Sequence, residues 1–150
     1  MFGLQVVMGP LPNIEPVSLL VILCAVVFGW KALYPVYAFV AMEVLYYGLG
    51  IWNVYYLYAW GILAVAAILL RKMENPLGWA LVSGVFGLLF GALCGIADIF
   101  IGGFSYAATK WISGIPFDLM HCAGNFVIAL LLMKPLRQLM TKLYTTMNKA

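Results

Sequence analysis

Asp118, His121 and Asn125 stand in the stretch WISGIPFDLMHCAGNF, residues 111–126: a carboxylate, the only histidine of the chain and an amide, set among apolar and small residues. Spaced i, i+3 and i+7, they share one face of a helix. Together they present an acceptor, a ring that donates or accepts, and an amide that does both. That set can hold the polar edge of a small molecule, or serve as an intramembrane acid and base. No nucleophile stands in a recognisable arrangement with them, which favours binding over catalysis. Each residue also has a plainer role open to it. Asp118 can cap the last helix at its N-terminus, and His121 and Asn125 can hydrogen-bond between helices, an interaction worth about 1 kcal/mol in a membrane.

The elements that must position these residues follow from composition. A chain of 150 residues that is 66% hydrophobic and 9% charged, with a mean hydropathy of +1.06, carries more apolar surface than a soluble core of its size can hide. It reads as one integral membrane domain over residues 1–150, with room for about five or six crossings at ~20 residues each. The opening MFGLQVVMGP lacks the basic and apolar regions of a signal peptide and reads as mature chain. Pro16, Pro35, the turn RKMENP and Lys134-Pro135 punctuate apolar runs at 16–34, 36–49, 52–70, 77–99 and 117–133. Unpaired backbone cannot face lipid and the runs do not alternate, so they predict five helices. The expected fold is a compact all-α bundle of five transmembrane helices, with a partial first helix and outer loop in residues 1–15 and a tail from residue 136. Residues 100–116 read as a Gly- and aromatic-containing connection or short interfacial helix.

If the C-terminus is cytoplasmic, Lys31, Arg71, Lys72, Lys134, Arg137, Lys142 and Lys149 all fall inside and only Lys110 outside, seven of the eight basic residues. Other candidates then gather at the outer level with Asp118, His121 and Asn125. These are Trp52, Asn53, Tyr55 and Tyr56 in the run WNVYYLYAW, Asp98 at the end of the fourth run, and Asn13 and Glu15 before the first. The arrangement predicts an outward-facing cavity with aromatic walls and a few polar hooks, although for any single ring an interfacial belt is favoured over ligand contact. Glu43 lies midway along a span, where an ionisable group is either functional or a hydrogen-bonded structural carboxyl.

Ser83, Gly87, Gly91 and Gly95 repeat at i+4 in SGVFGLLFGALCG, a smooth stripe on which a second backbone can close, within the subunit or from a docking partner. After Pro135, Leu136, Leu139, Met140, Leu143 and Met147 take one side of an amphipathic tail. Cys24, Cys94 and Cys122 show neither a disulfide framework nor metal spacing. No phosphate-binding loop, HExxH or GxSxG occurs, so the chain carries no familiar ATPase, zinc hydrolase or serine hydrolase motif. No metal, cofactor or enzymatic activity is expected.

The segments PNIEPVSLLVILCAVVFGWKALY, the W-x-x-x-Y-x-Y-x-W pattern of residues 52–60, GLLFGALCG, and WISGIPFDLMHCAGNF followed by MKPLRQLM resemble the substrate-binding S components of energy-coupling factor (ECF) vitamin transporters. The resemblance spans roughly residues 12–140, and the last block is its most specific part. It implies a six-helix membrane protein that captures a vitamin or precursor from the outer side and docks on a transmembrane coupling subunit driven by two cytoplasmic ATPases. The helices at 52–70, 77–99 and 117–133 correspond to the fourth, fifth and sixth of that fold, which puts Asp118, His121 and Asn125 where ligand is expected. Members carry a full first helix with an Ala-x-x-x-Ala docking face, where this sequence has MFGLQVVMG. Ser83, Gly87 and Gly91 are the residues here that would serve docking.

The expected function is a non-enzymatic, solute-binding subunit of an importer in the plasma membrane. The alternatives are a self-contained small transporter or channel and a structural membrane protein. The charge distribution makes a direct prediction. With the native cysteines replaced, single cysteines at Gly102 and Thr145 are expected to react with an impermeant thiol reagent from outside and from inside, respectively; labelling of position 145 from outside sealed cells would overturn the topology.

Overall fold

The computed structural model describes residues 1–8 and 16–148; Asn13, Glu15 and Lys149 lie outside them. Among the described residues there is no strand. The chain forms α1 (Phe2–Met8), α2 (Val17–Phe28), a 3₁₀ turn (Gly29–Ala32), α3 (Leu33–Tyr47), α4 (Ile51–Leu69) and α5 (Pro76–Met147). Three helical stretches, Val17–Tyr47, Ile51–Leu69 and Pro76–Met147, are long and apolar enough to cross a membrane. This is an all-α membrane protein.

Two glycines in the left-handed region divide the longer stretches. Gly29, at φ 59°, ends α2, so the boundary expected at Pro35 falls earlier. Pro35 instead sits in the first turn of α3, where its missing N–H costs nothing. Gly103, at φ 79° and ψ 178°, breaks α5 into a first arm (76–102) and a second arm (104–147). The last helix thus starts near residue 104 rather than 117, and the expected connection at 100–116 is helical on both sides of Gly103. Pro116 and Pro135 are accommodated inside the second arm, as prolines are where neighbouring helices shield the freed carbonyls. The tail expected from residue 136 continues the same helix.

α2 is the centre of the bundle. Val17, Leu19, Val21, Ile22, Leu23 and Ala25 are all buried, and the helix packs on both α4 and α5. Hydrophobic almost all round, it fits a position largely enclosed by its neighbours. The turn into α5 is fixed at several points. Asn75 caps the helix by accepting the Leu77 N–H at 3.0 Å, with Pro76 as the first helical residue. The Met73 carbonyl accepts from Trp79 Nε1 at 3.0 Å and from Arg137 Nη1 at 2.8 Å, which ties the turn to the second arm.

The two arms close on the stripe of small residues. Ser83 is fully buried. A Cβ on Gly84 would lie 3.3 Å from Cβ of Phe126, one on Gly87 would lie 2.8 Å from the carbonyl carbon of His121, and one on Gly91 would collide with the Asp118 carboxylate. The chain's own second arm thus packs on Ser83, Gly87 and Gly91, so the stripe closes within the subunit. Gly95, the last of the stripe, has open space at its Cβ position. Gly87→Ala is therefore expected to destabilise the detergent-solubilised protein by about 1 to 3 kcal/mol, since backbone must move, while Gly95→Ala leaves the melting temperature unchanged or raises it. Equal melting of the two variants would contradict this packing.

Candidate functional site

The seam between the arms carries the polar row. Asp118, His121 and Asn125 are 6%, 4% and 2% exposed, so they face the bundle interior and do not stand open at its surface. Asp118 lies within the second arm and does not cap it. One of its oxygens, Oδ1, accepts the Gly91 N–H at 3.0 Å. His121 stacks edge-on against Phe90 with ring centroids 5.2 Å apart. Asn125 Nδ2 donates to Ser18 Oγ of α2 at 2.9 Å and to the Ser83 carbonyl at 3.3 Å, which joins three helical segments. Four buried atoms along this seam have no partner: Asp118 Oδ2, His121 Nε2, Asn125 Oδ1 and Ser83 Oγ. Buried polar atoms are nearly always satisfied, by protein or by water. Four together along one seam make it the candidate site.

Aromatic residues pack against the row from the α4 side. Trp60, fully buried, lies 5.8 Å from Phe90, 5.6 Å from Phe86 and 5.5 Å from Tyr56 between ring centroids. Phe90 thus connects the α4 rings to His121. The Trp60 indole N–H also lacks a partner. An apolar cavity of about 240 Å³ lies between the arms next to the Gly103 break, lined by residues that include Gly95, Ile99, Phe104, Ala107 and Trp111.

A second cluster joins α4 to both arms. The Tyr55 hydroxyl donates to Asp98 Oδ1 at 2.5 Å, and the Lys110 ammonium donates to the same carboxylate oxygen at 2.9 Å and to the Tyr55 oxygen at 2.7 Å. Asp98 is nearly buried, whereas the Lys110 side chain is 42% exposed. The ammonium also lies 5.0 Å from the Tyr55 ring centroid and 5.7 Å from that of Tyr106. This is the single ion pair among the described residues. It clasps the segment after Gly103 onto the bundle.

The sequence-predicted residues therefore divide. Asp118, His121 and Asn125 lie along one seam, Tyr55 and Asp98 meet in the clasp, and Tyr56 joins the aromatic wall. Asn53 is occupied locally, its Oδ1 accepting the Gly50 N–H at 2.7 Å to cap α4. Trp52 is 40% exposed, at the surface. Glu43 is buried with Oε1 unpaired, but on α3, which packs on α1, α2 and α4 and has no contact with α5 among the described residues. Asn13 and Glu15 fall outside the described residues. Sequence reasoning missed Ser18, Phe90 and Lys110 as site residues. Lys110 had a signal, because it is the one basic residue on its side of the charge map and follows Asp98 by twelve positions.

No His/Cys/Asp/Glu group among the described residues could hold a metal ion. Compared with family models, curated proteins and solved structures, the chain matches none.

The clasp predicts non-additive energetics. Lys110→Met leaves the buried Asp98 carboxylate without its cation, with an expected loss of roughly 1 to 3 kcal/mol; Asp98→Asn in the same chain recovers part of it. Additive losses in the double variant, measured by thermal melting, would mean that the ion pair contributes nothing.

Proposed function

We propose that this chain is a solute-binding membrane subunit of a multisubunit importer of the ECF type, which takes up a vitamin-like small molecule. In this reading the breaks at Gly29 and Gly103 divide the helical stretches into five spans: Val17–Phe28, Leu33–Tyr47, Ile51–Leu69 and the two arms of α5. The protein sits in the plasma membrane with its C-terminus in the cytoplasm. A coupling subunit and two ATPases supply the energy, since the sequence carries no phosphate-binding loop.

The observation that carries the reading is the row of half-satisfied polar residues beside an aromatic wall, in a chain that spends few polar groups anywhere. Water cannot relieve such atoms deep in a bilayer as it does at a protein surface. A planar ligand can stack on the rings and complete the missing bonds of Asp118, His121 and Asn125. The apolar cavity beside Gly103 gives it an approach, and the Tyr55–Asp98–Lys110 clasp closes the segment above. The sequence resemblance to S components points the same way, as does the grouping of basic residues at the end of the bundle away from that clasp.

The test separates binding from folding. His121→Ala removes a ring nitrogen that has no partner among the described residues, and Asp118→Asn retains an oxygen for the Gly91 N–H. Both are expected to keep the melting temperature near that of the parent. They should lower affinity for the solute that co-purifies, identified by native mass spectrometry, by about ten- to hundred-fold, the equivalent of one lost buried hydrogen bond. Asn125→Ala should lower both, because it also loses Ser18. Destabilised variants with unchanged affinity would make the row a helix-packing device. Concentrative uptake by this chain alone in liposomes would refute the dependence on partners.

A further inference from the structure

Another cavity lies at the other end of the bundle from the clasp. It is a groove of about 650 Å³ between the α4–α5 turn and the lower part of the second arm, lined by residues that include Glu74, Lys134, Arg137, Gln138, Thr141 and Lys142. Three cations face one carboxylate, and among the described residues none of the four belongs to an ion pair. Arg137 is held in place by its bond to the Met73 carbonyl at 2.8 Å, which leaves the rest of the guanidinium free to donate. Lys134, Arg137, Gln138 and Thr141 recur at i, i+3, i+4 and i+7, so their donors converge on one face of the helix.

We infer that this groove binds the phosphodiester headgroup of an anionic phospholipid. The depth of the groove selects the lipid. Leu136 and Met140 pack toward the core and Tyr144 stacks edge-on with Phe28 of α2, ring centroids 5.2 Å apart. On the adjoining flank Leu139 and Leu143 remain 52% and 54% exposed. A helix with one flank on the bundle, one exposed apolar flank and one cationic flank lies at the level where acyl chains meet headgroups. There the cations meet phosphate anchored in the membrane, and each Lys or Arg near an anionic leaflet adds to the attraction. Arg offers its planar fork to two phosphate oxygens, and Lys134 and Lys142 add point charges. Glu74 disfavours a second negative charge, which suits a diester carrying one. This site is independent of the solute site and of the importer reading.

The full chain is reconstituted in nanodiscs of phosphatidylcholine with a minor fraction of phosphatidylglycerol, and the lipid retained after detergent extraction is measured by native mass spectrometry. The parent is expected to retain phosphatidylglycerol over phosphatidylcholine. The Lys134→Gln/Arg137→Gln/Lys142→Gln variant is expected to lose that preference by about tenfold or more. The Lys31→Gln/Arg71→Gln/Lys72→Gln variant removes as much charge from the same end outside the groove and should keep it. Equal losses in the two variants would reduce the effect to diffuse surface charge and overturn the site. Displacement of phosphatidylglycerol by millimolar inorganic phosphate would assign the groove to a free anion instead, and capture of a phosphoprotein in place of lipid would likewise overturn the inference. If the triple variant fails to fold, Lys142→Gln, whose side chain is exposed, carries the test: retention equal to the parent would overturn the site.

Discussion

The approach of the two α5 arms at Gly87 is the constraint on which the rest of this structure depends. No side chain separates the helices there, and the backbone of His121 lies where a Cβ would otherwise stand. Residues 118, 121 and 125 are carried against residues 91, 87 and 83 as a consequence, and the carboxylate of Asp118 reaches an amide inside the neighbouring helix. Lipid offers no hydrophobic drive for helix association, so contact of this kind has to come from packing and a few hydrogen bonds. The smooth stripe supplies the first and the polar row the second. Helix–helix packing and the candidate site are thus one piece of construction, and a change that widens the seam would also move the groups proposed to meet ligand.

Charge is sorted along the bundle in a way the packing makes visible. Asp98 and Lys110 neutralise each other near the Gly103 break, while Arg71, Lys134, Arg137 and Lys142 collect around the α4–α5 turn with Glu74 as their one acidic neighbour. The Met73 carbonyl, shared by Trp79 and Arg137, holds that end together from within. One end of the molecule is closed by an internal ion pair, the other left rich in unpaired cations. Charge sorted in this way contributes to the depth and direction of a bundle in a bilayer.

Much of the architecture was readable in the sequence because hydrophobic length and punctuation dominate in a membrane. The apolar runs, the RKMENP turn and the shared face of Asp118, His121 and Asn125 all follow from spacing and composition. The misplaced boundaries have a common cause. Pro35 and Pro135 read as breakers, yet one occupies a helix start and the other is accommodated within a helix, whereas Gly29 and Gly103 carry the left-handed backbone that ends or breaks helices. Nothing local distinguishes these glycines from Gly87 or Gly91, which are needed for space and not for φ. The site was only half readable for a related reason. Periodicity shows which residues share a face, but not that Ser18 lies opposite Asn125, 107 positions away.

The distribution of unsatisfied atoms separates structural polar residues from candidates for binding better than burial does. Asp98 and Tyr55 are as well buried as Asp118 and His121, yet both are bonded within the clasp. A residue whose purpose is to join helices is expected to be bonded by them, as Asp98 is through Oδ1 by Tyr55 and Lys110. Leaving a buried polar atom unpaired costs about 1 to 3 kcal/mol, so several such atoms along one seam oppose folding by an amount that helix packing has to offset. A purely structural row would relieve that cost with serine or alanine at these positions. Keeping a carboxylate, an imidazole and an amide there, each with a free atom, makes physical sense when a bound molecule completes the set.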